Sequence, residues 1–483
     1  MSDTISDNLE ENTEILLGQF SKMTDFVIRR FKLRSGTDAA LVYFDGLVDR
    51  LSVNEHLLKP LIFEIENDEI DQIHLPIGKM SITNEWKEIE YSLFIGISVL
   101  FVHQQPHALM FDTQGWPQRA IKEPQIESSL KGGHQGFTET ADQNISLIRR
   151  YLPNRELKIR NYSIGRRGKT RIFMMYLEDI VNSDYLKELE RRMGQIDVDA
   201  VLNTGELAEF LEDRPFSIFP QVILTERPDA VASQLLQGRV TLVVDHSPSA
   251  IVLPASFATF FQSVDDYSSR WVISSFLRVL RFIAFLIATC LPATYIAMIS
   301  FHYEVIPVDL LISVGESRAR VPFPPIVEAL IMELAIEMLR EAGLRVPSPI
   351  GQTIGVVGGI IIGQAAVQAG VVSNIMVVVV AITAISSFII PNQDMALSLR
   401  LIRFPMMLVS SFFGMVGITI GLMIIIAHII SLESLQVPFG SPIIPVRAPD
   451  WKDTWIRVPL RYMINRPLST KPKQLIRQKR RRP

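Results

Sequence analysis

Charged and apolar residues are interleaved in short runs up to residue 265, and beyond it the charges withdraw for long stretches. No Asp, Glu, Lys or Arg occurs between Arg281 and Glu304, between Arg345 and Asp394, or between Arg403 and Glu433. An apolar helix of about 20 residues, rising about 1.5 Å per residue, matches a hydrocarbon core roughly 30 Å thick. The pattern therefore predicts four membrane spans, at 282–301, 350–371, 375–390 and 405–430. The middle charge-free stretch is too long for one span and divides at Ser373-Asn374, while Pro391-Asn392 ends the third.

The charge-rich half contains a repeat. ISVLFVHQQPHALMFD at 97–112 aligns without gaps to RVTLVVDHSPSAIVLP at 239–254. Each has a β-branched apolar run, a polar break with a proline, then a second apolar run, which is the pattern of two strands joined by a tight loop. Upstream, ALVYFDGLVD at 40–49 matches FMMYLEDIVN at 173–182, each a strand running through a turn into a helix. The expected architecture is an α/β cytosolic domain of two related subdomains, 37–150 and 151–262, after an N-terminal helical segment at 1–36. An α-helical membrane domain follows at 263–432, with about four transmembrane helices plus one amphipathic helix, and a basic tail closes the chain at 433–483.

Composition sharpens this division. The chain is 48% hydrophobic and carries a net charge of −3, and its mean hydropathy of +0.23 averages two unlike halves. Such richness in aliphatic residues excludes disorder. A lone cysteine, Cys290, excludes an intramolecular disulfide framework and a cysteine-rich metal site. The acidic start, MSDTISDNLEENTE, is unlike a signal peptide. Arg270, Arg278 and Arg281 precede the first span, and the tail KPKQLIRQKRRRP is basic throughout. Both flanks then belong on the cytosolic side, which requires an even number of spans and puts Arg400 and Arg403 uncomfortably outside. The tail serves either as an orientation signal or as a contact for anionic lipid, at about 1 kcal/mol per basic residue. Nucleic acid is not the expected partner.

Catalytic motifs fail on context. GRRGKT at 165–170 has only two residues between its glycines and precedes a strand, so it reads as a basic surface turn and not a phosphate loop. KGGHQG at 131–136 lacks a preceding apolar strand. His103 and His107 straddle a strand loop, and His428 sits in the last span. The sequons at Asn144 and Asn161 carry no weight in a cytosolic segment. No catalytic residue, metal ligand or cofactor is expected, and the chain does not read as an enzyme.

The informative chemistry lies in the membrane half. Gly351, Gly355, Gly359 and Gly363 recur every four residues and form a stripe where helices pack closely. On another face Thr353, Val357, Ile361, Gln364 and Gln368 follow helical spacing. That face lines a narrow pore gated by dewetting, or else its glutamines bond to neighbouring helices. Ahead of it, prolines 322, 324 and 325 precede a helix that Gly343, Pro347 and Pro349 end, on which Glu333, Glu337 and Glu341 share one face with Arg340. In a symmetric oligomer these acids become rings that concentrate cations; the alternative is an interfacial helix whose acids Arg340 neutralises.

These segments, PFPPIVEALIMELAIEMLREAGLRVP and IGQTIGVVGGIIIGQAAVQAGVVS, are long composite motifs. With TERPDAVASQLLQGRVTLVVDHSPSAIVLP at 225–254, EPQIESSLKGGHQGFTE at 123–139 and DTWIRVP at 453–459, the chain resembles the A subunits of bacterial spore germinant receptors, the GerA family. The resemblance runs from residue 38 to 466; KGG at 131–133 and RRYL at 149–152 depart from the usual pattern. It implies a multi-pass subunit of the spore inner membrane, both termini cytosolic, responding to amino acids or sugars. It also implies work beside a transporter-like B subunit that binds the nutrient and a lipoprotein C subunit. The homo-oligomer would form an ion channel lined by 351–371; a subunit that moves the nutrient, or a non-conducting scaffold, are the other readings.

Overall fold

The computed structural model describes residues 4–64, 75–115, 124, 127, 131–346, 358–359 and 361–478. The first half holds two five-stranded antiparallel sheets. In the first, β1 (Phe26–Lys32) pairs with β2 (Asp38–Phe44), then come β4 (Ile97–Val102), β5 (Ala108–Asp112) and β3 (Met80–Thr83). The second has the same order, β6 (Leu157–Ile164), β7 (Thr170–Leu177), β9 (Val240–Val244), β10 (Ala250–Leu253) and β8 (Ile223–Thr225).

Both faces of each sheet are covered, which is why the central strands carry apolar residues toward both sides and not only at alternate positions. Successive side chains point to opposite faces of a strand. Ala40, Val42 and Phe44 of β2 pack with helices α1 (Leu9–Phe20) and α2 (Trp86–Phe94), whereas Ala39, Leu41 and Tyr43 pack with Val53, Leu57 and Leu61. In the second sheet one face meets α3 (Ala141–Tyr151) and, further along, α6 (Pro228–Leu235). The other meets α4 (Ser183–Gln195) and α5 (Thr204–Leu211). The segments that match in sequence occupy equivalent places: 97–112 and 239–254 are the hairpins β4–β5 and β9–β10, and 40–49 and 173–182 begin in β2 and β7. Gln104 and His246 take positive φ at the two hairpin tips.

Two boundaries differ from expectation. Strand β1 falls inside the segment expected to be only helical. Helix α3 buries Ala141, Ile145 and Ile148 against Phe173, Met175 and Val243, so it belongs to the second module's core although it lies before residue 151. It also joins the modules. Arg149, fully buried, pairs with Asp25 at 2.8 Å and lies 4.4 Å above the Phe44 ring, and the Ser146 hydroxyl donates to the Gly46 carbonyl at 2.8 Å.

The second half is helical: α7 (Trp271–Phe301), α8 (Val308–Arg318), α9 (Pro325–Arg345), α10 (Asn374–Phe388) and α11 (Gln393–Ser431). Among the described residues α7 and α11 are long and apolar enough to cross a membrane, while α10 is apolar but shorter. Expected breaks hold, with Ser373 capping Met376 N–H at the head of α10 and Asn392 capping Met395 N–H at the head of α11.

Helix α11 is not the single span expected at 405–430. At Gly414 (φ 57°, ψ −138°) the backbone leaves helical geometry and the chain turns back on itself. A Cβ on Gly417 would lie 2.5 Å from the Val409 carbonyl oxygen, and one on Gly421 would fall on the Met406 sulfur. In a straight helix residues 406 and 421 would stand about 22 Å apart. Both arms return to one loop: Ser398 Oγ donates to the Ile218 carbonyl at 2.6 Å, and His428 Nε2 lies 2.9 Å from Ser217 Oγ. The hairpin's apex meets the far end of α7, where Met415 N–H points at His302 Nε2.

Candidate functional site

Helix α9 begins where Pro325 occupies its first position, needing no hydrogen bond there. It runs antiparallel to the first arm of α11, and its acids descend along that seam. Glu328, completely buried, accepts from Ser373 N–H at 2.9 Å and pairs with Arg318 of α8 at 3.2 Å. Glu333, 0% exposed, pairs with Arg403, 2% exposed, whose Nε also donates to the Ala288 carbonyl of α7 at 3.0 Å. Glu337 is half-buried, 3.2 Å from Arg400 and 3.7 Å from Arg340. Glu341 is exposed and pairs with Arg345 at 2.6 Å. A low-dielectric interior makes an unpaired charge very costly, so each buried acid has recruited a cation.

The sequence placed these carboxylates on one helix but missed their partners. Arg400 and Arg403 read as loop charges flanking a span; they lie instead within the bundle, 63 and 70 residues along the chain from the acids they meet. Arg340 serves Glu337 alone, not both Glu337 and Glu341. The signal available was the spacing: two arginines three residues apart and three glutamates four apart can share one antiparallel seam.

Of the glycine-rich segment, Gly351, Thr353, Gly355 and Val357 lie outside the described residues. Residues 361–368 are helical and antiparallel to α9: Gly358 approaches Leu339, and a Cβ on Gly370 would lie 2.9 Å from the Arg320 carbonyl oxygen. Gly363 is buried with Val377 at ordinary contact distance, whereas Gly359 faces open space. Ile361, Gln364 and Gln368 are exposed together on the outer side.

A cleft of about 670 Å³ opens where the second α/β module meets the helices. Its walls are the loop 215–220, Leu397, Leu401 and Phe404, and its polar groups are Glu212, Glu337, Asp394 and Arg400. Burial pushes the Glu212 carboxyl up, and the nearby Asp394 charge adds to that. The loop grips both ends of the α11 hairpin, since Arg214 also donates to Ser431 Oγ at 3.0 Å. Among the described residues no cluster of His, Cys, Asp and Glu is arranged to hold a metal ion.

Spore germination protein KA of Bacillus subtilis (strain 168) is 40% identical over 98% of this chain and 89% of its own length. The uncharacterized membrane protein YfkQ of the same organism is 37% identical over 96% of this chain and 91% of its own. The crystal structure of the N-terminal domain of the A subunit of the Bacillus megaterium spore germinant receptor GerK3 covers 53% of this chain and 97% of that domain, at 28% identity and a TM-score of 0.40. The model of the GerA Bacillus/Clostridium spore germination proteins, a family of germination proteins and not of enzymes, matches residues 14–469. From residue 14 to residue 469, then, this chain belongs to the GerA family.

Proposed function

We propose that the chain is the A subunit of a nutrient-sensing germinant receptor in the spore inner membrane and that it passes ions as an oligomeric, ligand-gated channel. One observation carries the channel reading. Ile361, Gln364 and Gln368 are exposed together on a helix whose other side packs against α9 and α10. A primary amide facing lipid has no hydrogen-bond partner, so this face belongs against water or a second copy of the chain. Arranged around an axis, copies bring these residues to a narrow lumen. Aliphatic rings such as that of Ile361 close it by dewetting, and a small molecule opens it by favouring the wider arrangement.

Helices α7, α9, 361–368, α10 and the two arms of α11 alternate in direction, an even number that returns the chain to the side it left, and the basic flanks make that side the cytosol. Nutrient binding falls to a transporter-like B subunit, with a lipoprotein C subunit alongside, and the basic tail faces anionic lipid. Replacing Ile361 by Ser should wet the constriction, so dormant spores lose monovalent cations without nutrient. Full dormancy with an unchanged nutrient response, at normal subunit levels, refutes pore lining by this face.

A further inference from the structure

The acidic face of α9 enters the channel reading as a set of negative rings, yet in this structure every one of its carboxylates is already matched. Glu333, Glu337 and Glu341 step from the sealed interior to the cleft to the surface, and Arg403, Arg400 and Arg345 meet them in turn. Arg345 lies on the same helix as Glu341; Arg403 and Arg400 come from the first arm of α11. The seam is thus a ladder between two helices, with three acids on one rail and two arginines on the other.

The buried rung is imperfect. Glu333 Oε1 and Arg403 Nη2 are both buried without a hydrogen-bond partner, and so is Arg400 Nε. A pair that leaves polar atoms unsatisfied in a low-dielectric interior is poorly placed to be the sole stable arrangement. The spacing offers another. If α9 moves one turn toward the far end of α7, about 5.4 Å, Glu337 arrives at Arg403 and Glu341 at Arg400. Both arginines of α11 stay paired, and Glu333 is the acid of this seam that is released. Packed helices favour such discrete steps over continuous sliding, because their side chains interdigitate.

We propose that Arg403 and Arg400 are the counter-charges that mask the acidic face of α9 in the resting subunit, and that a one-turn slip of α9 past them frees Glu333 to attract cations. This rests on the channel reading and specifies how its negative charge is switched on. Arg403 is here a positioning residue: it acts on ions through Glu333. Arg318 and Glu328, one pair higher, fix the neighbouring turn to Ser373 and α8, so the slip also requires that contact to give.

The test uses the whole receptor in membranes. Arg403→Gln should raise cation release in the absence of nutrient by roughly tenfold, and adding Glu333→Gln to it should suppress most of that release. A tight Arg403→Gln receptor at normal levels overturns the masking, as does a leak that persists undiminished in the double variant. Should Arg403→Gln fail to accumulate, Arg400→Gln, whose partner Glu337 is only half-buried, carries the same comparison with Glu337→Gln. If the unaltered receptor passes no ions even with nutrient, the channel reading fails on its own. The ladder is then judged by thermal melting of the detergent-purified chain. Strong non-additivity between Glu333→Gln and Arg403→Gln upholds the pairing, and simple additivity removes it.

Discussion

Single residues in the α/β half are tuned by their surroundings as strongly as those in the bundle. Glu127 is enclosed beside Thr225, whose hydroxyl donates to its carboxylate at 2.6 Å, and burial pushes its carboxyl up to about 7. Arg227 lies close enough to oppose the shift but is committed to Asp229 and Asp265. A carboxyl whose pKa is higher folded than unfolded holds its proton better in the native state. Its stabilising effect is complete below the unfolded value near 4.5, declines as pH rises, and is spent above about 7. Across that window the loss is roughly 3 kcal/mol. Glu127→Gln, which cannot ionise, should flatten the melting temperature between pH 5 and 7 and raise it at pH 8. A wild-type melting curve already flat across that range would contradict the shift.

At the scale of elements, the hairpin in α11 turns on Gly414. Its φ of 57° with ψ of −138° is open to glycine and strained for other residues, and a Cβ there would sit 2.9 Å from His302 Nε2 and 3.1 Å from Phe301 Cβ. Gly414→Ala should therefore cost about 1–3 kcal/mol and loosen the apex. Cysteines placed at Met406 and Gly421 in a Cys290→Ser background should be joined by a short thiol cross-linker, and less completely once Gly414 is Ala. No cross-link in either case would mean a straight helix. This reversal was hidden from sequence for a physical reason: in a long apolar run a glycine marks close packing as readily as a turn, and Pro405 looks the stronger break although it lies within the helix. The sheets were far more legible. β-Branched apolar runs on either side of a proline-bearing loop are local signals, and β4–β5 and β9–β10 form where they were expected. The acidic face of α9 was legible too, because its spacing is local. Its arginines were not, because a matching spacing 63 and 70 residues away does not say which helix it faces.

Taken whole, the molecule is a chain of three bodies with the second α/β module in the middle. The first module reaches it through Arg149–Asp25 and Lys22–Glu178, and the helical bundle reaches it through Phe219, Phe257, Phe260 and Phe439. After leaving the bundle the chain returns and completes that same module. Leu435 and Val437 enter its core beside Tyr176 and Leu242, and Ser434 Oγ donates to the Gln221 carbonyl at 2.7 Å. Further on, Arg466 bonds the Leu236 carbonyl at 2.8 Å and Thr470 the Gln237 carbonyl at 2.7 Å. The second module is thus held by the segments that enter and leave the helices, so a displacement in the bundle must strain it before it strains the first. Leu435→Ala removes a fully buried side chain from this return segment, far from any face assigned to the pore. The expected cost is about 2–5 kcal/mol. Amide exchange in the full-length chain should locate it: faster in β6, β7 and β9, unchanged in β2 and β4. Equal acceleration in both sheets would mean that the two modules unfold as one unit and that strain from the bundle is not confined to the second.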